Sequence, residues 1–324
     1  MASTPLNAKI PPFQLPFHRM RNSLDRLTKL KELAAMSSHM KKGKQAMEWL
    51  QNNQPLVAET LSRAKEPYYK WTPYRNRSDG SPSWQHQIIH HVGKYKGLVA
   101  CGGNRIGKSV LGAFNTALMV TGEHPVYESP TNGIAWIVGL DSKAIASVCR
   151  PIFEEVIPSR YRENGKWNGK NDMWILESDG RRWEVWFKSV DAGRQKFQGT
   201  KIDFAWIDEE PMKDGVFREI ELRLTDKAGL WLLTATPVEG TKWLKDTLER
   251  PDVGYTMAGM RENPYIPMEE IDNLCRQLPE DERQVRIEGK YIIFGGRPVF
   301  DRHAIADQEI GLEPYVSGSL VSVA

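Results

Sequence analysis

From Trp84 onward, short apolar runs alternate with segments whose apolar residues recur at helical spacing. The apolar runs cover 97–101, 133–139, 202–207, 229–234 and 253–258, and the helical segments cover 109–120, 142–156, 214–224 and 241–249. Strands that read as nearly continuous apolar runs are buried on both faces. The pattern therefore predicts an α/β fold, a mostly parallel sheet with helices on both faces. One passage departs from it. Residues 173–177 and 182–188 alternate apolar and polar on either side of Ser178-Asp179-Gly180-Arg181, which predicts a β-hairpin closed by an Asp-Gly turn.

Upstream of Trp84 the pattern changes. Residues 1–17 are rich in proline. Leu24, Leu27, Leu30, Leu33 and Ala34 then share one helical face, and a second short helix is expected from Pro55 to about Ala64. Pro67, Tyr68, Tyr69, Trp71, Pro73 and Tyr74 form an aromatic stretch broken by prolines, and Asp79-Gly80-Ser81-Pro82 reads as a turn. These breaks predict a helical arm over 1–70 and a separate core that begins at 71.

Charge sharpens this division. The net charge of the 324 residues is +3, but residues 1–70 hold twelve Lys and Arg against five Asp and Glu, a local +7 that leaves −4 for the remainder. A basic arm on a mildly acidic body suits nucleic acid, an acidic protein surface, or a solvated helical face. No run of about 18 apolar residues exists, so no membrane partner is expected. The N-terminal residues lack the apolar core of a secretory signal. Three well-separated cysteines, Cys101, Cys149 and Cys275, form no zinc or disulfide pattern and fit a reducing compartment.

Candidate chemistry begins at the end of the first core strand. Gly102-Gly103-Asn104-Arg105-Ile106-Gly107-Lys108-Ser109 has the spacing of a phosphate-binding loop, set between a strand and a helix. Its glycines let backbone N–H groups turn inward toward phosphate oxygens, and the helix start adds positive potential. Lys108 would reach the β- and γ-phosphates, and the Ser109 hydroxyl would ligate Mg²⁺. About a hundred residues on, the strand Phe204-Ala205-Trp206-Ile207 ends in Asp208-Glu209-Glu210. Asp208 fits the carboxylate that holds Mg²⁺ beside Ser109, and Glu209 the base that polarises the attacking water. Glu210 suits either a supporting or a surface role. The next strand ends in Thr234-Ala235-Thr236-Pro237, where a small hydroxyl could sense the γ-phosphate. Gln85, with Gln87 as fallback, is the candidate for the adenine edge, with Trp84 or Tyr74 to stack on the ring. His86 and His90 share a helical face, but no third metal ligand is visible. For the charge of the transition state, Arg105 lies inside the loop. Arg194 and Lys196 suit a finger reaching a neighbouring subunit, contacts to DNA phosphates, or plain surface charge. Arg150 is a weaker candidate.

The loop Gly102–Ser109, the approach Gln198-Gly199-Thr200-Lys201-Ile202-Asp203 into Phe204–Pro211, and Thr234–Pro237 together resemble the ATPase portion of the large terminase subunit of tailed double-stranded DNA phages. Glu262-Asn263-Pro264-Tyr265-Ile266-Pro267, and Glu288-Gly289-Lys290 through Gly296-Arg297-Pro298-Val299-Phe300, resemble the family's exit from that domain. The likeness spans about residues 71–300. It implies an additional-strand P-loop NTPase with a RecA-like sheet over 71–250, a small lid or linker over 251–300 and a tail over 301–324. It also implies ATP and Mg²⁺ as ligands, and double-stranded DNA, a portal protein and a small terminase subunit as partners. The working form would be a ring, in number a pentamer, in the host cytoplasm and transiently at the procapsid portal vertex. The family often carries an arginine, its trans finger, where this chain has Gln198. It usually continues into a nuclease, for which the 24 residues after Phe300 leave no room; that domain is expected to be absent from this chain, whether by truncation or by encoding on a separate chain. A superfamily 2 type helicase shares the order of the three motifs, and a non-hydrolytic, nucleotide-gated assembly module is the remaining alternative.

Overall fold

The computed structural model describes residues 66–71, 73, 83–212, 214–238 and 241–290. The basic arm up to residue 65, Tyr74, the Asp79–Pro82 turn, the Gly296–Phe300 stretch and the 301–324 tail lie outside the described residues.

Eight strands form one sheet in the order β3-β4-β5-β2-β6-β7-β1-β8. They are β1 (Gly97–Gly102), β2 (Asn132–Gly139), β3 (Lys166–Asn168), β4 (Met173–Ser178), β5 (Arg181–Ser189), β6 (Phe204–Asp208), β7 (Leu230–Ala235) and β8 (Val253–Ala258). From β5 to β8 every neighbouring pair is parallel, and β4 runs antiparallel between β3 and β5. The β4–β5 hairpin turns at Asp179 and Gly180, both at positive φ (53° and 72°), the backbone that an Asp-Gly pair accommodates.

The apolar strands divide period-2 between two cores. Leu98 and Ala100 of β1, Ala135 and Ile137 of β2, and Phe204 and Trp206 of β6 face one layer of helices. Val99 and Cys101, Trp136 and Val138, and Ala205 and Ile207 face the other. Burying each strand twice is why the runs carry so few polar residues. The first layer holds α1 (Pro67–Lys70), α2 (Trp84–His91), α3 (Lys108–Thr121), the composite α4 and α5 (Ser159–Glu163). In α4, the α-helical pieces Ser142–Ala144 and Arg150–Val156 are joined by a π-helical turn, Ile145–Cys149. The second layer holds α6 (Asp214–Thr225) and α7 (Lys242–Leu248). After β8 come a 3₁₀ turn at Met260–Glu262, then α8 (Met268–Gln277) and α9 (Glu280–Arg286).

Two expected boundaries cut across packing. Tyr68 and Trp71 flank residue 70, yet both rings lie against Phe114 of α3, at 5.3 and 4.0 Å between centroids. The Tyr68 hydroxyl also shares a hydrogen bond with Thr121 (2.8 Å). At the other end, β8 falls within the stretch expected as lid, but it pairs along its whole length with β1. The sheet therefore extends past residue 250. Helix α3 meets the sheet closely: a Cβ on Gly112 would lie 2.1 Å from the Trp206 indole nitrogen.

Candidate active site

The loop between β1 and α3 sits at the carboxyl ends of the parallel strands, where open α/β sheets present their sites. Gly107 caps α3 in the left-handed region (φ 82°), and Arg105 also lies there (φ 58°). Lys108 is folded back beneath the loop. Its Nζ donates to the carbonyls of Gly102 (3.1 Å) and Gly103 (2.8 Å) and to Thr236 Oγ1 (2.8 Å). Burial pulls the ammonium's pKa down, opposed by the carboxylates of Glu209 and Asp208.

Beside it, Ser109 Oγ lies 3.1 Å from both carboxylate oxygens of Asp208. Thr234 Oγ1 donates to Asp208 Oδ1 (2.7 Å) and accepts from Trp206 Nε1 (2.8 Å). Burial raises the Asp208 carboxyl to about 6; the bonds from Thr234 and Ser109 act against it, and neighbouring Glu209 adds to it. Glu209 holds a left-handed backbone (φ 68°), with its N–H on Thr234 O (2.7 Å). Its Oε2 accepts the Thr236 N–H (2.8 Å). The Thr236 hydroxyl has two acceptors for its one proton, Asn104 Oδ1 (3.3 Å) and Glu209 Oε1 (3.4 Å).

Lys108, Ser109, Asp208, Glu209 and Thr236, expected together from the sequence, thus lie in one cluster, with Thr234 linking the Ser109–Asp208 pair to Glu209, Thr236 and Lys108. Two residues of the β7 end do otherwise than expected. Thr234 is fully buried and spends its hydroxyl on Asp208 rather than facing the loop, and the Ala235 side chain lies in the second core. Alternation along the strand is the cause: residues 234 and 236 share a face, but only 236, past the strand's end, reaches Lys108.

The remaining candidates are dispersed. Arg105 is exposed at the loop rim. Arg194 is drawn to α6, where its Nε bonds Glu219 Oε2 (3.0 Å), a buried carboxylate that also pairs with Arg223 (2.8 Å). Lys196 is exposed, and Arg150 lies over the Trp167 ring at 5.2 Å. Gln85 and Gln87 are buried in α2. That helix packs on β1 and β8 and returns to β1 through the short connection 92–96. His86 and His90 stack edge to face at 4.6 Å. Glu210 accepts from the N–H and the hydroxyl of Thr241, the residue before α7.

Sequence reasoning missed two contacts. Cys149 Sγ, on the π-turn of α4, lies 3.7 Å from Asp208 Oδ2. Asn263 Nδ2 donates to the Arg105 carbonyl (2.6 Å). Among the described residues no trio of His, Cys, Asp and Glu is placed to hold a metal. The hydroxyl of Ser109 and the one carboxylate of Asp208 are a hard oxygen pair. They fit Mg²⁺ completed by a nucleotide's own oxygens.

Residues 99–251, just under half of the chain, match the family model described as terminase large subunit, T4likevirus-type, N-terminal. The terminase large subunit of Salmonella phage P22 is 24% identical over a match covering 76% of this chain and 55% of that protein. Among solved structures, the large terminase of a thermophilic bacteriophage superposes with a TM-score of 0.57 at 14% identity, covering 68% of this chain and 54% of that one. The large terminase ATPase domain of Thermus phage P74-26 superposes with a TM-score of 0.53 at 18% identity, covering 65% and 94%. The first of these two phage proteins has also been solved with ADP and with ATP-γ-S. This chain spans about half the length of that protein and of the P22 protein. The fold shared with these structures is that of a large-terminase ATPase domain, a RecA-like P-loop sheet.

Proposed function

We propose that this chain, whose residues 99–251 match the model of the phage terminase large subunit, is the ATPase of a DNA-packaging motor that drives double-stranded DNA through a portal. The observation that carries the reading is the meeting of two hydrogen-bonded sets, Lys108–Thr236–Glu209 and Ser109–Asp208, linked through Thr234 at the carboxyl end of one sheet. A loop that only turned a strand into a helix would need no lysine buried against two of its own carbonyls and within the field of two acids.

The roles follow from position. Lys108 exchanges the Gly102 and Gly103 carbonyls for phosphate oxygens of ATP, to which a cation is bound more strongly. Amides from Arg105 onward cradle those oxygens, since the Gly103 and Asn104 amides are bonded to Ala258 O and Arg286 O. Mg²⁺, held by Ser109 and Asp208, would neutralise charge on the β- and γ-oxygens. Glu209 accepts the proton of the attacking water, and Thr236 ties that carboxylate to Lys108. Gln85 reads the adenine edge. Arg105 supplies the second positive charge in cis. Arg194, more than half exposed on its Glu219 anchor, serves a neighbouring subunit of a ring. The partners that complete the machine are double-stranded DNA, the portal, a small terminase subunit and a nuclease, at the procapsid in the host cytoplasm.

The test is Glu209→Gln in the full chain. ATP turnover is expected to fall roughly 10²- to 10⁴-fold, the usual worth of a general base, with nucleotide binding retained. Turnover equal to that of the unaltered chain removes the hydrolytic assignment. For the motor itself, DNA protected from DNase by portal-bearing procapsids only with ATP is the expected result. An active ATPase that protects none refutes the motor.

A further inference from the structure

Asn263 sits in the turn between β8 and α8, and none of the chemistry above uses it. Its carboxamide is almost fully enclosed, with the residue 9% exposed. Both ends are engaged: Nδ2 donates to the Arg105 carbonyl at 2.6 Å, and Oδ1 accepts the Tyr265 N–H at 2.9 Å. The Tyr265 amide can only donate, so it fixes which way the carboxamide points and aims the donor end at the loop. The residue it holds is unusual. Arg105 lies at φ 58°, a region that residues with a side chain occupy only where their surroundings hold them.

The rest of the loop's first half is braced from the same side. Gly103 N–H donates to Ala258 O (2.9 Å) and Asn104 N–H to Arg286 O (2.7 Å). Gly103, Asn104 and Arg105 are thus each tied to the last strand of the sheet or to the chain beyond it. Of the three ties, only the one at Arg105 is made by a side chain, and it grips a carbonyl rather than an N–H.

We infer that Asn263 is a positioning residue for the phosphate loop: by holding the Arg105 carbonyl on its own side, it turns the Ile106 N–H toward the hollow that receives phosphate. The peptide plane makes this step. In a planar trans peptide the C=O and the following N–H point in opposite directions, so one bond to the oxygen aims the hydrogen. Without that bond the Arg105–Ile106 plane is free to rotate and present a carbonyl oxygen, which repels phosphate. The inference rests on reading the loop as a nucleotide site.

The test compares the full chain with Asn263→Ala and Asn263→Asp. Aspartate keeps the size and can still accept from Tyr265, but it cannot donate to the Arg105 carbonyl. Alanine removes the bond without adding charge beside the phosphates. Three quantities are measured: the thermal midpoint without nucleotide, the Kd for Mg²⁺–ATP-γ-S, and KM and kcat for ATP. Both variants are expected to bind the analogue roughly tenfold more weakly, about the worth of one hydrogen bond, and to raise KM more than they lower kcat. The midpoint without nucleotide is expected to fall by no more than a few degrees, the worth of one enclosed hydrogen bond. Affinity within twofold of the unaltered chain in either folded variant overturns the inference. So does a lowered midpoint with affinity kept, which would make Asn263 a structural residue only. If alanine prevents folding, the aspartate variant decides. If the folded, unaltered chain binds no ATP-γ-S, the proposed function itself has failed, a result distinct from normal binding by the variants.

Discussion

At the residue scale, two threonines two positions apart divide stability from chemistry. Thr234 is sealed between the Trp206 indole and the Asp208 carboxylate. Thr234→Val leaves a buried donor and a buried acceptor each short of a partner, at a cost of about 1–3 kcal/mol. In a domain of this size that lowers the thermal midpoint by several degrees, roughly 2–4 °C per kcal/mol. Thr236→Val behaves differently. Lys108 keeps the Gly102 and Gly103 carbonyls, and Glu209 keeps the backbone N–H of residue 236. The midpoint is expected to stay near its original value while ATP turnover falls roughly tenfold or more, because the hydroxyl linking the ammonium to the acid is gone. Calorimetry and a turnover assay on the pair read this out. Equal midpoints for the two variants would show that Thr234 carries no structural load.

At the scale of elements, the site depends on how closely α3 lies on β6. Gly112 faces Trp206 directly, and the indole reaches Thr234 only because no side chain intervenes. Gly112→Ala is expected to force the helix or the indole to shift, costing about 1–3 kcal/mol as overpacking does, although alanine is the better helix former. A raised midpoint for Gly112→Ala would mean that helix propensity outweighs the contact. The π-turn of α4 belongs to the same scale. One wide turn rephases the helix after it, and here it carries Cys149 to Asp208. Apolar spacing over 142–156 shows the helix, but not which residue the widened turn points at the acid.

At the scale of the whole molecule, a cluster of buried and half-buried histidines weakens the fold in acid. Burial holds the His124 imidazole down at about 3, and neighbouring His90 adds to the effect. Burial likewise lowers His86 to about 4, with His90 again adding, and lowers His90 itself. An unfolded histidine binds a proton near 6.5. Between that value and about 3 the unfolded chain therefore holds more protons than the folded one, and stability falls as pH falls. His124 alone accounts for about 2 kcal/mol at pH 5. His124→Gln is expected to lose less stability than the unaltered chain between pH 7 and 5, and parallel melting curves across that range would contradict the assignment. Packing at the same scale separates what sequence determined from what tertiary structure decided. Strand and helix order, the hairpin, the phosphate loop and the acidic strand end were legible because periodicity, turn residues and loop spacing are local properties of the chain. That Thr236 rather than Thr234 meets Lys108 and that Arg194 goes to Glu219 were decided by tertiary structure. So were the contacts of Cys149 with Asp208, 59 residues away, and of Asn263 with Arg105, 158 residues away. Each of these depends on which surfaces meet once both faces of the sheet are covered, and a one-dimensional pattern does not contain that meeting.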